Sequence, residues 1–445
     1  MVKENKKAAL SMEGRLDAAL VPDWEQPYKV PANWCWTTVN SVSEVVTGGT
    51  PSKRNSEYYG GDFPFFKPSD LDAGRNVYEA SEYLTEEGKR VSRIIPAESS
   101  AVCCIGSIGK CGFLMREGTT NQQINSAIPK ITPLYLYYYF QSELFLNELR
   151  GKASATTISI VNKTKMEQCS FPLAPLAEQQ RIVDRIESLF AKLDEAKEKA
   201  QAVVDGFEGR KAAILHKAFT GELIGLSDCN TVALESIVDT IRIGPFGSAL
   251  HKEDYIIGGI PVINPKHIVN QQIVPDEKTT ITKEKADELC GYKLKNGDIV
   301  LGRRGEMGRS APVTEDQNGW LCGTGSLIIR LQDGYDAAFY SQIIASHSSV
   351  QYLEENCVGS TMSNLNEKIV KGLPVPNYSK EDQQQIVAIL VALLEKEQQA
   401  KEAAEQVIDQ INTMKKAILA RAFRGELGTN DPADESAEEL LKRVL

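Results

Sequence analysis

Apolar positions in two stretches of this chain recur every three and four residues, and the two stretches are copies of each other. In the first, Ile182, Ile186, Leu189, Leu193, Ala196, Ala200, Val203 and Phe207 follow steps of 4, 3, 4, 3, 4, 3 and 4. In the second, Ile386, Leu390 and Leu393 lead through a charged Glu397 to Ala400, Ala404, Val407 and Ile411. A period of 3.5 marks the seam of a coiled coil, not the wider stripe of an ordinary surface helix. The flanks repeat as well. Gln179-Gln180-Arg181-Ile182-Val183 returns as Gln383-Gln384-Gln385-Ile386-Val387, and Lys217-Ala218-Phe219-Thr220-Gly221-Glu222-Leu223 returns as Arg421-Ala422-Phe423-Arg424-Gly425-Glu426-Leu427, both at an offset of 204. Neither helix holds a proline; Pro175 precedes one and Pro376 the other. The segments 177–218 and 381–422 each predict a rod of roughly 60 Å at 1.5 Å per residue. A helix of that length must bury its seam, and the nearest partner is the other copy, running antiparallel. The expected interface is Ile182, Ile186, Leu189, Leu193, Val203, Phe207, Ile386, Leu390, Leu393, Val407 and Ile411, with Glu397 setting register or facing a Lys or Arg.

A mixed segment precedes each helix. Short β-rich runs such as Ala101-Val102-Cys103-Cys104-Ile105 are broken by Gly and Pro, and an aromatic, leucine-rich helical stretch follows from Pro133 to Leu149. The second segment has the same order of events. Gly106-x-x-Gly109-x-x-Gly112 is matched with Gly302-x-x-Gly305-x-x-Gly308, and Ser159-x-x-Asn162 with Ser363-x-x-Asn366. The expected organisation is an N-terminal arm (1–30), a first globular domain (31–172), a first helical region (173–228), a second globular domain (229–376), a second helical region (377–428) and a tail (429–445). In the tail, Leu440, Leu441 and Leu445 predict a short final helix. In the arm, Lys7-Ala8-Ala9-Leu10 and Gly14-Arg15-Leu16 faintly echo the end of the repeat, which suggests a partial third copy packed beside the C-terminal one; chance similarity is the alternative. The fold class is α/β (α+β): two copies of a mixed domain joined by two long antiparallel coiled-coil helices, with approximate two-fold symmetry.

Composition narrows the class of protein. Charged residues are 25% and hydrophobic residues 42% of 445, ordinary values for a globular chain. No run of about 18 apolar residues predicts a membrane span, and no secretory leader is recognisable, so a cytoplasmic protein is expected. Nine cysteines lack any framework or Cys-x-x-Cys spacing and read as buried thiols in a reducing compartment. The net charge of −10 argues against nucleic acid only superficially. Residues 31–172 hold 14 basic and 14 acidic side chains, and 231–376 hold 14 and 18, and a nearly neutral domain can still carry a basic face.

A resemblance to a known family rests on Pro175-Leu176-Ala177-Glu178-Gln179-Gln180 opening a long helix that ends in Ala-Phe-x-Gly-Glu-Leu, the whole occurring twice. It rests also on Thr47-Gly48-Gly49-Thr50-Pro51-Ser52 following Asn33-Trp34-Cys35-Trp36. The chain resembles the specificity subunit of type I restriction-modification systems over nearly its whole length. It departs from that pattern in the second half, where Ile243-Gly244-Pro245-Phe246-Gly247-Ser248 replaces the Gly-Gly-Thr-Pro-Ser segment. The resemblance implies two target-recognition domains, each reading one half of a split double-stranded DNA sequence, held apart by the paired helices. It implies partners: two methyltransferase subunits and translocating restriction subunits. It implies no catalysis and no metal in this chain; S-adenosylmethionine, ATP and Mg would belong to the partner subunits.

Candidate contacts follow from residue chemistry. Lys110, Arg303, Arg304 and Arg309 sit at Gly-bounded turns, where an Arg fork fits a phosphate or a guanine edge; solvated loop charge is the alternative. Asn121, Gln122, Gln123 and Asn125 form an amide cluster suited to pairing with adenine, or to closing a polar turn. Thr50, Ser52, Lys53 and Arg54 follow two glycines and a turn proline, and suit phosphate positioning or a plain surface loop. Ser154, Thr156, Thr157, Ser360, Thr361, Ser363 and Asn364 form polar loops ahead of each helix. Lys266 joins the candidates; its Asn264-Pro265-Lys266-His267 setting only partly matches an adenine-methyltransferase motif and lacks the second proline and the aromatic. Gly106-Ser107-Ile108-Gly109-Lys110-Cys111 lacks the spacing of a phosphate loop. Asp194, Glu195 and Lys197 lie on the coiled-coil helix and read as its solvated face. A coiled-coil adaptor whose globular domains bind proteins is the alternative function.

Overall fold

The structure, a computed structural model, describes residues 11–154, 159–226, 230–245, 249–357 and 364–445. Lys7 to Leu10, Thr156, Thr157, Phe246 to Ser248, Ser360, Thr361 and Ser363 lie outside the described residues. The chain divides into two units: residues 1–200 with 406–445, and residues 201–405.

Short apolar runs, buried throughout in the central strands and mixed at the edge strands, build similar sheets twice. In the first unit Ser43–Thr47, Ile124–Pro129, Ser100–Cys103 and Cys111–Phe113 form an antiparallel four-stranded sheet in that order. Beside it, Glu82–Leu84, Tyr59–Phe66 and Thr119–Thr120 form a second sheet whose last pair is parallel. In the second unit Val238–Ile243, Ser326–Leu331, Asp298–Gly302 and Ser310–Pro312 take the order of the first sheet. Thr280–Ile281, Ile260–Ile263 and Leu321–Cys322 take that of the second, again ending in a parallel pair, with Tyr255–Ile256 added as a fourth strand beside Thr280–Ile281. A short ribbon closes each domain onto its helix: Cys35–Thr38 with Ser170–Leu173, and Thr231–Ala233 with Pro374–Pro376.

The aromatic stretch of the first domain is two helices, Pro133–Phe140 and Glu143–Gly151, the latter started by Ser142, whose hydroxyl accepts the Phe145 N–H. Proline suits the first helical position because the missing N–H would have no partner there. Asn162 and Asn366 cap equivalent short helices, accepting from Lys165 and Ile369 amides at 2.9 Å each. The glycine turns match differently from the sequence expectation. Gly106 and Gly109 (φ 77° and 91°) correspond to Gly305 and Gly308 (φ 85° and 75°), while Gly302 lies in a strand. Ile105 bridges Ile160 as Arg304 bridges Asn364, which confirms that register.

The repeated Gln-Gln pair has one structural job in both copies. Gln179 and Gln383 are fully buried. Each donates to the carbonyl of the residue five positions earlier, Ala174 at 2.8 Å and Tyr378 at 2.7 Å. Each accepts a backbone N–H from the globular domain, Thr132 at 3.1 Å and Asp336 at 2.7 Å. A buried amide satisfied on both sides fixes how the helix leaves its domain.

The first repeat helix is not one rod. It runs Leu176–Asp205 and Phe207–Phe219, whereas the second, Lys380–Ala422, is unbroken over 43 residues. The break is Gly206, where Gln410 stands in the other copy. A Cβ at Gly206 would lie 2.4 Å from the Arg210 guanidinium. That guanidinium folds back onto the Val203 carbonyl at 2.9 Å and reaches Glu397 at 2.7 Å, so the charged interruption does face an arginine. Ile182, Ile186, Phe207, Ile386, Leu390 and Ile411 are buried, and Leu189, Leu193, Val203 and Leu393 half-buried. Val407 is a correction: it is 41% exposed. Beyond Glu397 the seam takes the other phase of the 3–4 alternation, through Lys401, Ala404, Ile408 and Ile411. The pairing is antiparallel within each unit. Arg210 meets Glu397 while Phe207 meets Lys401, whose ammonium stands 4.8 Å from the ring. Asp194 bonds to Lys415, while Ile182 and Ile186 share a core with Leu419 and Phe423.

The arm packs beside the C-terminal segment, as expected. Tyr28 donates its hydroxyl to the Phe423 carbonyl at 3.0 Å, and Ala437 donates its N–H to Asn33 at 2.9 Å. The helix Met12–Ala19 lies on the final helix Ala437–Val444. It is not a third copy of the repeat: Gly14 is helical, whereas Gly221 and Gly425 hold left-handed backbone with φ 82° and 73°.

Candidate functional site

Two glycines bring the polar loops of the first domain together. The N–H groups of Gly48 and Gly49 donate to the carbonyls of Ile124 (2.9 Å) and Thr120 (2.8 Å). Any Cβ at Gly48 would come within 2.1 Å of the Asn121 carbonyl oxygen, so only glycine permits this approach. The approach sets Thr50 against the amide turn, its hydroxyl donating to Gln122 Oε1 at 2.5 Å, while Tyr59 donates to the Pro51 carbonyl at 2.6 Å. Ser52, Lys53 and Arg54 are exposed, and neither cation has an ion-pair partner among the described residues. Gln122 is exposed and Gln123 half-buried.

Two members of the amide cluster are corrections. Asn121 is nearly buried; it donates to Gln123 Oε1 at 3.1 Å and accepts the Gln123 N–H at 3.0 Å. Asn125 is 3% exposed and accepts the Thr47 hydroxyl at 2.8 Å. Buried amides take the partners that burial denies them in water, and these two close their own turn instead of facing outward. Lys110 is half-buried and engaged by Asp72 at 2.6 Å. Sequence reasoning missed Arg93, an exposed arginine that donates to the Thr47 carbonyl at 2.5 Å, just before the glycine pair. Nothing local marks it; the irregular segment that follows the helix Glu86–Arg90 carries it there.

In the second unit the adjacent arginines part company. Arg303 is a correction: it is 7% exposed and donates through Nε to the Leu365 carbonyl at 3.0 Å. Burial, then the charge of Arg304, pulls its guanidinium below the usual value. Arg304 is exposed and has no ion-pair partner among the described residues. Successive residues of an extended strand end face opposite ways, so one arginine serves the fold and the other the surface. Arg309 pairs with Glu306 and donates to the Pro265 carbonyl at 3.3 Å. Lys266 is paired with Asp276 at 2.6 Å and donates to Thr279 at 3.1 Å. Asp276, also 3.0 Å from Nε2 of buried His267, is held well below the usual carboxylate range by Lys266 first, then Thr279 and His267. The His267 Nδ1 accepts the Asn264 N–H at 3.0 Å, so Asn264-Pro265-Lys266-His267 is a capped turn.

Among the described residues no group of three or more His, Cys, Asp and Glu is placed to hold a metal ion, and no helix is long and apolar enough to cross a membrane. Burial pushes the thiols of Cys35, Cys104 and Cys169 up to about 12, which keeps them protonated. What the surface offers is hydroxyls, amides and unpaired cations on loops held by rigid sheets, an arrangement for binding.

The family model described as "Type I restriction modification DNA specificity domain" matches residues 31–204 and again 228–409. Among curated proteins the chain is 28% identical over 315 residues to the type I restriction enzyme MjaIX specificity subunit of Methanocaldococcus jannaschii, covering 65% of this chain and 72% of that one. It is 22% identical over 431 residues to the StySPI specificity subunit of Salmonella potsdam, covering 90% of both. Among solved structures, the HsdS subunit from Thermoanaerobacter tengcongensis superposes with a TM-score of 0.63 at 19% identity, over 91% of this chain and all of that one. A chain from a study of type I R-M complex assembly and conformational transition gives 0.67 at 18%, over 90% and 100%.

Proposed function

The chain belongs to the family of type I restriction modification DNA specificity proteins, and from that membership we propose that it is the sequence-reading component of a restriction-modification complex. Each globular domain reads one half of a bipartite double-stranded DNA target. The observation that carries this reading is the duplication itself: one sheet scaffold built twice, with polar loops that differ between copies. Shared scaffolds explain two readers; unlike loops explain two unlike half-sites. Phosphate contacts supply most of the affinity and its salt dependence, and base contacts supply the choice of sequence. In the first domain the leading candidates are Thr50, Ser52, Lys53, Arg54 and Gln122, and in the second Arg304.

The repeated helices give two equivalent surfaces, and the proposal assigns one methyltransferase subunit to each, with restriction subunits joining that core. In this reading the chain is not itself an enzyme and works in the cytoplasm. S-adenosylmethionine, ATP and Mg are the partners' cofactors. The length of the helices sets the number of unread base pairs between half-sites. Sequencing of methylated sites from cells carrying the chain and its partners is the test. A bipartite motif with two unlike halves is expected. Removing one heptad from both repeats should change the spacer and leave both halves intact; altered halves with the old spacer would refute the ruler.

A further inference from the structure

The second unit contains a cleft of about 250 Å³ lined by Thr240, Arg242, Cys290, Gly291, Lys293, Lys295, Ile328 and Arg330. Four of these side chains are cations and none is a carboxylate. Sheet register puts them together: Thr240 is paired with Arg330, and Arg242 with Ile328 on the same neighbouring strand. Arg330 is bound by buried Asp298 through two bonds of 2.7 Å, and Lys293 by Asp287 at 2.5 Å. Asp239 also acts on Arg330 from beside the cleft. The side-chain charges of Arg242 and Lys295 have no carboxylate partner among the described residues, and both residues are exposed, although the Lys295 backbone N–H donates to Asp298 at 2.8 Å. Arg242 is aimed instead of being left to wander. It donates to the Gly291 carbonyl at 3.0 Å and lies over the Tyr292 ring at 5.9 Å. A Cβ at Gly291 would stand 2.3 Å from its Nη1, so glycine is needed for that approach.

Among the described residues the first unit does not repeat this set of four cations; there Arg93 alone reaches the end of the equivalent strand, at Thr47. At the positions matching Thr240, Arg242 and Arg330 it has Glu44, Val46 and Ile128, by the register of the equivalent strands. The same comparison shows where the cleft lies. Gly244 donates its N–H to Ser326 as Gly48 donates to Ile124, both at 2.9 Å, so Arg242 stands just ahead of the loop that corresponds to Gly48-Gly49. In the first domain that loop carries Lys53 and Arg54; in the second those two positions are Ala249 and Leu250, and a lysine, Lys252, comes only two residues later.

We propose that this cleft binds a backbone phosphate of the DNA, with Arg242 and Lys295 as its direct contacts, in place of the cation pair whose positions Ala249 and Leu250 occupy in the second domain. The inference rests on the DNA-reading function proposed above. A guanidinium fork presented at a fixed angle beside an ammonium suits a tetrahedral anion. The contact carries register, not sequence.

The test uses the full chain assembled with its methyltransferase partners, on a duplex bearing the methylated motif and on a scrambled duplex. Arg242→Ala with Lys295→Ala should weaken binding to both duplexes about tenfold and lower the slope of log affinity against log salt by about 1. The preference between duplexes should persist, and Arg242→Lys should recover only part of the affinity, because an ammonium keeps the charge and loses the fork. Lys380→Ala, an exposed lysine at the start of the second repeat helix with no ion pair among the described residues, should change little. In parallel, DNA should shield Cys290 from iodoacetamide, read peptide by peptide, and inorganic phosphate at matched ionic strength should not. Unchanged affinity and slope in the double variant, with normal wild-type recognition, would overturn the cleft and leave the function standing. Shielding by inorganic phosphate alone would make the cleft a free-anion site and also overturn the proposal. Failure of the wild-type assembly to prefer the motif would remove the function and the cleft together.

Discussion

In the first unit the indole of Trp36 is 1% exposed, with Tyr28 edge-on against it at 4.9 Å. At the matching place in the second unit the chain has Thr231, and a groove of about 920 Å³ lined by Leu215, Phe219, Ile343, Leu373 and Pro374 is open. The match is secured by register, since Trp36 pairs with Pro172 and Thr231 with Pro376, at the repeat offset. A second contrast lies at the helix start. Glu178 is fully buried and accepts from Trp34 Nε1 (2.7 Å), Asn430 Nδ2 (2.8 Å) and Thr429 Oγ1 (3.2 Å). Its counterpart Asp382 merely accepts the Ser379 hydroxyl at 2.6 Å. The shared scaffold therefore needs neither device. Sheet pairing, the helical seam and the buried glutamines make the fold; the arm and tail of the first unit add a second layer of packing that the other unit does without.

That comparison can be pressed from both sides, with hydrogen exchange reporting each unit separately. Trp36→Thr, which copies the second unit into the first, should destabilise the first unit by about 3–5 kcal/mol, because a cavity replaces a buried indole. The reverse change, Thr231→Trp, should shift the second unit by less than about 1 kcal/mol, since its groove has room. Equal losses from the two changes would end the contrast. Glu178→Ala should cost about 3 kcal/mol by stranding buried donors, against about 1 kcal/mol for Asp382→Ala, which removes only the bond that holds the Ser379 hydroxyl and leaves that hydroxyl capping the Asp382 N–H. Replacing Arg210 and Glu397 together by Met and Leu, the residues at the matching positions 414 and 193, should stay within about 1 kcal/mol, as expected for a partly exposed ion pair. Glu397→Leu alone should be worse than the pair. The smallest effect concerns acid. The Asp276 carboxyl is held below its usual range, so its stabilising bonds are complete at neutral pH and are lost as pH falls below about 4. Asp276→Asn should flatten the acid dependence of exchange across residues 264–280; an unchanged acid limb would show that Asp276 does not cause it.

The helices were legible in the sequence because a seam and an offset of 204 are long-range regularities that no tertiary contact has to supply. The phase of the seam was not. A 3–4 alternation can resolve to Val407 or Ile408, and only the partner surface, with Lys401 over Phe207, decides it. Candidate contacts on the Gly-Gly-Thr-Pro-Ser loop survive as surface residues because glycine, proline and hydroxyls act through local backbone geometry. Arg303 and Asn125 read as surface chemistry and are interior, because the carbonyl and hydroxyl that satisfy them, at Leu365 and Thr47, are 62 and 78 residues away. The basic cleft was invisible for the same reason: Arg242 and Arg330 meet only through strand register, and Lys295 joins them from the segment ahead of the strand Asp298–Gly302.

One consequence follows from the way the second unit, residues 201–405, interrupts the first in the linear order of the chain. The core of the first unit includes Leu419, Phe423, Ala437, Leu440 and Leu441. During synthesis at about 5–20 residues per second, the early half must wait on the order of 10–40 s before those side chains emerge to complete it. The later-starting unit is the first one able to finish folding, and the earlier half holds unsatisfied apolar surface for the whole interval, which makes it the part of the nascent chain most in need of a chaperone.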